Sequence, residues 1–259
     1  MSEMTMKQAA ERALGLIDLT NLNDDCTPAD IETLAARSST PHGHVAAICI
    51  YPRFIKQAVG LLKDSPVRIA TVVNFPEGGE DTRDVVRQTE AALADGADEI
   101  DLVMPYRAFM DGRRGFAETQ IAEVRKVIAE PAQLKVILET GELKDPRLIH
   151  LASETAIAQG ADFIKTSTGK VAENATLEAA EIMLNVIRET GIENHRPVGF
   201  KPAGGIRTVA EAKAYLALAD KLMGQNWISS ATFRFGASGL LDAVLAEIEG
   251  RSNVSTESY

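Results

Sequence analysis

The chain has 259 residues, of which 45% are hydrophobic and 25% charged, with a formal net charge of -10. That length admits one large barrel or two modest domains, in the composition range of an ordinary soluble globular protein. The acidic balance excludes a general binder of nucleic acid or of anionic membranes, which reward basic surfaces, but not a small phosphorylated ligand held in a local cationic pocket.

Residues Met1 to Ala13 mix Lys7, Glu11 and Arg12 with alanines, so residues 4–14 read as a short amphipathic helix without an apolar signal core. Leu14–Thr20 reads as a strand with Asp18 and Thr20 on one face. Pro28–Arg37 is helical, with Thr27 as N-cap and Pro28 at the first helical position. Val45–Tyr51 is a nearly continuous apolar strand, followed by a helix over Arg53–Lys63. Arg68–Phe75 and Asp81–Asp95 form the third strand and helix, closed by Gly96. The alternation continues with strand Glu99–Pro105 and helix Arg114–Glu130, then strand Leu134–Thr140 and helix Asp145–Gln159. Phe163–Thr168, Val198–Ala203 and Phe233–Ala237 complete the strands, with helices over Leu177–Thr190, Val209–Ala219 and Leu240–Glu249. The polar tail 251–259 is expected to be mobile.

Eight strand-then-helix units without a composition break predict a (β/α)8 TIM barrel as a single domain over residues 1–250, with a short N-terminal helix and a flexible C-terminal tail. The competing doubly wound sheet lacks its dinucleotide fingerprint. Gly-Ala-Asp recurs at 96–98 and 160–162, each time before a strand, as an echo of the repeating unit or as convergent turn chemistry. No run reaches the roughly 20 apolar residues of a membrane span. The 2 cysteines, Cys26 and Cys49, show no CxxC spacing, so a reducing, cytoplasmic setting is expected.

The stretch Phe163-Ile-Lys-Thr-Ser-Thr-Gly-Lys170 carries the strongest chemistry. Lys165 lies inside a strand that leads into a glycine-containing turn, and a buried lysine either finds a partner or loses its proton. A neutral lysine attacks carbonyls, and the Schiff base it forms is an electron sink. Lys201, in Val198-Gly-Phe-Lys-Pro-Ala-Gly-Gly205, repeats the arrangement. If the two are close, the second ammonium disfavours charge on the first, and Asp101 is the strand carboxylate placed to move protons. Asp18 and Cys49 also fall within strands, where each residue taken alone could be a structural ion pair or core packing. Lys135 lies near the start of its strand, where barrel residues serve stability more often than chemistry.

Gly204-Gly205 with Arg207, and Gly236 with Ser238, follow the seventh and eighth strands just as helices begin. Barrels often bind phosphate there, on backbone N–H groups and a helix N-terminus, although most Gly-Gly pairs only shape loops. His42 and His44 lie in a loop, and His150 and His195 on or after outer helices, which assembles no metal site; Arg113-Arg114 reads as a solvated pair.

On these residues the sequence resembles the 2-deoxyribose-5-phosphate aldolases, the Schiff-base class of aldolase. The blocks that carry the resemblance are Asp18-Leu-Thr20, Ala47-Ile-Cys-Ile-Tyr-Pro-Arg-Phe54, Asn74-Phe-Pro76, Glu139-Thr-Gly-Glu-Leu143, Asp162 to Lys170 and Gly199 to Gly205, in order along nearly the whole chain. The resemblance implies a (β/α)8 barrel without metal or other cofactor, with Lys165 as the Schiff-base lysine, Lys201 as the lysine that lowers its pKa, and Asp101 as the acid–base carboxylate. It implies reversible cleavage of 2-deoxy-D-ribose 5-phosphate to acetaldehyde and D-glyceraldehyde 3-phosphate. It places Asp18, Thr20, Cys49, Thr168, Gly169, Lys170, Gly204, Gly205, Arg207, Gly236 and Ser238 around the substrate, in a homo-oligomer, with a dimer favoured. Ser238-Gly239 departs from the Ser-Ser of some relatives. The tail ends in Tyr259, as in some members, and folding over the barrel mouth would let Tyr259 relay protons. The alternative is a non-catalytic sugar-phosphate binding protein on the same scaffold.

Overall fold

Alternating side chains along eight short strands set the architecture. The structure, a computed structural model, describes residues 4–194 and 197–251; the tail segment 252–259 with Tyr259, and His195, lie outside the described residues. The strands are β1 (Ile17–Asn21), β2 (Ala47–Ile50), β3 (Arg68–Val73), β4 (Glu99–Val103), β5 (Gln133–Ile137), β6 (Phe163–Lys165), β7 (Gly199–Lys201) and β8 (Phe235–Ala237). From β1 to β7 each pairs in parallel with the next in sequence, and β8 pairs with β1. The ring closes between β7 and β8 through bridges at Phe200–Phe233 and Ala203–Gly236. There the Arg234 N–H donates to the Phe200 carbonyl at 3.0 Å and the Gly236 N–H to the Pro202 carbonyl at 2.9 Å. The predicted (β/α)8 barrel is the fold.

One set of strand residues faces outward. Ile17, Leu19, Ile48, Ile50, Ile100, Leu102, Leu134, Val136 and Ile164 join the apolar stripes of the surrounding helices in one continuous core. The alternate residues face the barrel axis and, apart from a few such as Phe163, are small or charged. Ala47, Cys49, Ala70 and Val72 form a separate apolar group there, beside Asp18, Glu99, Asp101, Lys135, Lys165 and Lys201, all buried. Phe163 fills the lower interior where Gly199 has no side chain; a Cβ on Gly199 would lie 2.2 Å from the Phe163 ring.

The N-terminal helix (Met6–Leu14) starts on a capping box between Thr5 and Gln8 and packs against the helices Val209–Met223 and Leu240–Ile248. Arg12 ties it down through a bidentate pair with Asp220 at 2.6 and 2.8 Å. Both Gly-Ala-Asp turns have one construction. Gly96 and Gly160 end their helices at φ of 105° and 93°, and the following carboxylates of Asp98 and Asp162 each accept the N–H of a preceding strand, at Ile69 and Leu134, both at 2.8 Å.

Several elements differ from the sequence reading. The first strand starts at Ile17 instead of Leu14, because the helix runs on to Leu14 and is capped by Gly15. The fifth stops at Ile137 instead of Thr140. Glu139 takes a left-handed backbone (φ 60°, ψ 59°) and Thr140–Leu143 form a helical turn. Gly141 makes that turn possible, since a Cβ there would sit 1.9 Å from the Glu173 carbonyl oxygen. A further short helix, Tyr106–Met110, follows β4. No helix among the described residues is long and apolar enough to cross a membrane.

Candidate active site

The β4–β7 register brings the site together. Asp101 is opposite Lys135, and Lys165 opposite Lys201, on adjacent parallel strands. Asp101 Oδ2 accepts from Lys165 Nζ at 2.8 Å and from Lys201 Nζ at 2.7 Å, while Oδ1 accepts from Lys135 Nζ at 2.8 Å. One carboxylate therefore holds three ammonium groups. Lys201 also reaches Asp18 Oδ2 at 2.5 Å, and Lys135 reaches Glu99 Oε2 at 2.6 Å. Arg234 donates to Asp18 at 2.7 Å and to Glu99 at 2.8 Å, which completes the network.

The sequence reading did not single out Glu99 or Arg234, and it placed Lys135 near the start of its strand, where stability is the commoner role. Lys135 is in direct contact with Asp101. The available signal was the same one that exposed Lys165: a charged residue at an inward position of a strand, as in Glu99-Ile-Asp101 and Phe233-Arg-Phe235.

Four buried cations (Lys135, Lys165, Lys201, Arg234) thus share three buried carboxylates (Asp18, Glu99, Asp101). Burial alone would push Asp18 and Asp101 up and Lys135 and Lys201 down, but the opposite charges packed around them outweigh it. Both carboxyls are held below their ordinary range and both ammoniums above theirs. The depressed carboxyls contribute stability that is complete above about pH 4 and lost as pH falls toward their folded values. The raised ammoniums contribute stability that is complete below about pH 10.4 and lost only at higher pH. Urea unfolding between pH 2 and 7 should show this acid loss, and Asp18→Asn should make it shallower. An unchanged slope in the variant would contradict the assignment.

Lys165 faces a cavity of about 240 Å³ at the C-terminal end of the barrel. Of the residues expected around the substrate, Thr20, Thr168, Gly169, Lys170, Gly204, Gly205, Arg207, Gly236 and Ser238 line this same cavity. Asp18, Cys49, Asp101 and Lys201 do not line it and are fully buried. Burial pushes the Cys49 thiol up, reinforced by Asp101, as suits a core residue more than a nucleophile. Asn21, at the end of β1, and Leu22 and Asn23, on the loop after it, also line the cavity; loop residues of this kind carry no pattern that sequence reasoning could use. Lys170 stands at the mouth, 3.8 Å from Asp24.

The two glycine turns are built differently. Gly204 and Gly205 have φ of 85° and 86°, a backbone that favours glycine, and a Cβ on Gly204 would lie 2.7 Å from Asn174. The helix that follows, Val209–Met223, is capped from within: Glu211 accepts the Arg207 and Thr208 N–H groups, both at 2.9 Å. The helix after β8, Leu240–Ile248, has Gly239 at its N-cap and no side-chain cap. An anion in this corner therefore meets a free helix N-terminus at β8, with its partial positive charge. Among the described residues no group of three or more His, Cys, Asp or Glu side chains could hold a metal ion.

Residues 12–244 match the DeoC/LacD family of aldolases. The chain is 60% identical over 245 residues to the deoxyribose-phosphate aldolase of Agrobacterium fabrum, across 94% of this chain and 93% of that one. A crystal structure from Toxoplasma gondii ME49, provisionally described as a deoxyribose-phosphate aldolase, is similar at a TM-score of 0.86 and 26% identity, over 96% of this chain and 97% of its own. A tetrameric deoxyribose phosphate aldolase from Aeropyrum pernix shares the fold at a TM-score of 0.74 and 22% identity, over 93% and 92% of the two chains. A match over most of the chain and a relative at this identity give one conclusion: the chain belongs to the DeoC/LacD family of aldolases.

Proposed function

We infer that this chain is a deoxyribose-phosphate aldolase of the Schiff-base class, which reversibly cleaves 2-deoxy-D-ribose 5-phosphate to acetaldehyde and D-glyceraldehyde 3-phosphate. The observation that carries the reading is the shared Asp101 carboxylate, with Lys165 on it at the floor of the cavity and Lys201 beneath.

In the cleavage direction the Lys165 amine adds to the C1 aldehyde, and loss of water gives an iminium. Acetaldehyde keeps C1 and C2, so the bond that breaks is C2–C3. Its electrons flow into the iminium to form an enamine as the C3 hydroxyl loses its proton, and glyceraldehyde 3-phosphate leaves. Protonation of the enamine at C2 and hydrolysis return the free amine. Asp101 is the carboxylate through which protons move, in contact with both lysines. Lys201, held as a cation by Asp101 and Asp18, offsets negative charge that develops beside it. Thr168 and Lys170 lie where the sugar hydroxyls would sit. The phosphate would take the corner of Gly204, Gly205, Ser238 and the free helix N-terminus.

A cleavage assay that follows aldehyde release from 2-deoxyribose 5-phosphate and from ribose 5-phosphate tests the reading. Turnover of the deoxy sugar phosphate, with little or none of the 2-hydroxy analogue, is expected; the reverse preference would contradict it. The departure at Gly239 gives a second test. A Cβ there meets nothing within 4 Å, so Gly239→Ser fits and restores a hydroxyl beside the phosphate. One such hydrogen bond should lower KM for the phosphorylated sugar by about 2- to 10-fold and leave unphosphorylated deoxyribose unaffected. An equal effect on both sugars would remove the phosphate from this corner. A cytoplasmic homo-oligomer, a dimer, completes the reading; light scattering of the purified protein tests the assembly.

A further inference from the structure

Glu139 is buried with no accessible surface, on the loop directly after β5, and its backbone is left-handed, a conformation unfavourable for a residue with a side chain. Strain of this kind persists only where surrounding contacts fix it. Its side chain makes no cap bond to the helical turn that it precedes. Instead, Oε1 accepts the Thr168 N–H at 3.1 Å, 29 residues further along the chain, and Oε2 makes no hydrogen bond among the described residues.

The residues on either side of Glu139 grip the strand that carries the nucleophile. Leu138 N–H donates to the Lys165 carbonyl at 3.0 Å, and Thr140 N–H to the Thr166 carbonyl at 2.9 Å. Thr168 in turn accepts the Lys170 N–H on its hydroxyl at 3.0 Å, around Gly169 at φ 84°. Thr168, Gly169, Lys170 and Lys165 line the one cavity.

We propose that Glu139 is a positioning residue that sets the Thr168–Lys170 turn over Lys165, through its bond to the Thr168 N–H. This rests on the aldolase reading above. The left-handed backbone aims the side chain across to β6, where a strand conformation would not. Burial pushes the Glu139 carboxyl above its ordinary range, against the Thr168 bond and the charge of Lys165. An amide of the same length keeps an oxygen to accept the Thr168 N–H, so Glu139→Gln is the conservative replacement.

The test compares Glu139→Ala, Glu139→Asp and Glu139→Gln with the wild type, each first checked for folding by near-ultraviolet circular dichroism. Two readouts are used: kcat and KM for 2-deoxyribose 5-phosphate, and borohydride trapping of Lys165 with acetaldehyde, which lacks the sugar's hydroxyls and phosphate. Glu139→Ala and Glu139→Asp should lower kcat/KM by about 10- to 100-fold, the scale of an ångström of misplacement, with acetaldehyde trapping at the wild-type extent. Glu139→Gln should recover most of that loss. Cleavage within about 3-fold of wild type in the folded Ala or Asp variant would overturn the proposal. So would parallel loss of trapping, or a Gln variant no better than Ala. Wild-type protein that neither traps acetaldehyde nor cleaves the sugar phosphate would instead overturn the aldolase reading itself.

Discussion

Lys165→Met is expected to lower kcat for cleavage by about 10⁴-fold or more, because Lys165 is the cavity-wall amine bonded to Asp101, whereas the other wall lysine, Lys170, stands at the mouth beside Asp24. The same change should not weaken the fold. It removes one of four buried cations that share three carboxylates, and a thioether of similar length fills the space. A melting temperature equal to or above the wild type, with cleavage abolished, is the expected pair of results. A variant that keeps more than about 1% of wild-type turnover would show that Lys165 is not the nucleophile.

Asp101→Asn is expected to fail on both counts. The carboxylate lies between Lys135, Lys165 and Lys201 at 2.7–2.8 Å, with no accessible surface. Removing one partner of a buried ion pair leaves uncompensated charge and costs about 3–5 kcal/mol. Chemical denaturation should show a loss of this size. Turnover should fall by about 10²- to 10⁴-fold if Asp101 is the proton-transfer group proposed above. A variant as stable as wild type would mean that the three ammoniums do not depend on this carboxylate. One that is unstable but fully active would restrict Asp101 to structure.

Much of this was legible from residue types at inward strand positions. Lysines in Phe163-Ile-Lys165 and Gly199-Phe-Lys201, and a carboxylate in Glu99-Ile-Asp101, stand out because apolar strands tolerate charge only in pairs. Glycines after the last two strands marked the cavity's other wall. What sequence could not supply was pairing between strands. Asp101 bonds Lys201 across 100 residues, and Arg234 bonds Asp18 across 216, so the register of a closed barrel decides which charges meet. The position of Lys135 near the start of its strand was visible, whereas its pairing with Glu99 and Asp101 was not. Glu139 escaped for a related reason. The strand pattern of Leu134–Thr140 hides a left-handed residue whose partner, Thr168, lies on the next strand's loop. At the two glycine turns, the Gly-Gly pattern did not reveal that Glu211 already caps one helix while the other is left open.

Borohydride reduction in the presence of 2-deoxyribose 5-phosphate, followed by peptide mass mapping, tests the central claim most directly. A reduced adduct on Lys165 that is absent without substrate is the predicted result, and it identifies both the Schiff base and the nucleophile. An adduct on Lys201 or Lys135 would contradict the assignment of roles while keeping the reaction class. Folded protein that binds the sugar phosphate and gives no adduct would contradict the account, and would favour a non-catalytic sugar-phosphate binding protein on this barrel.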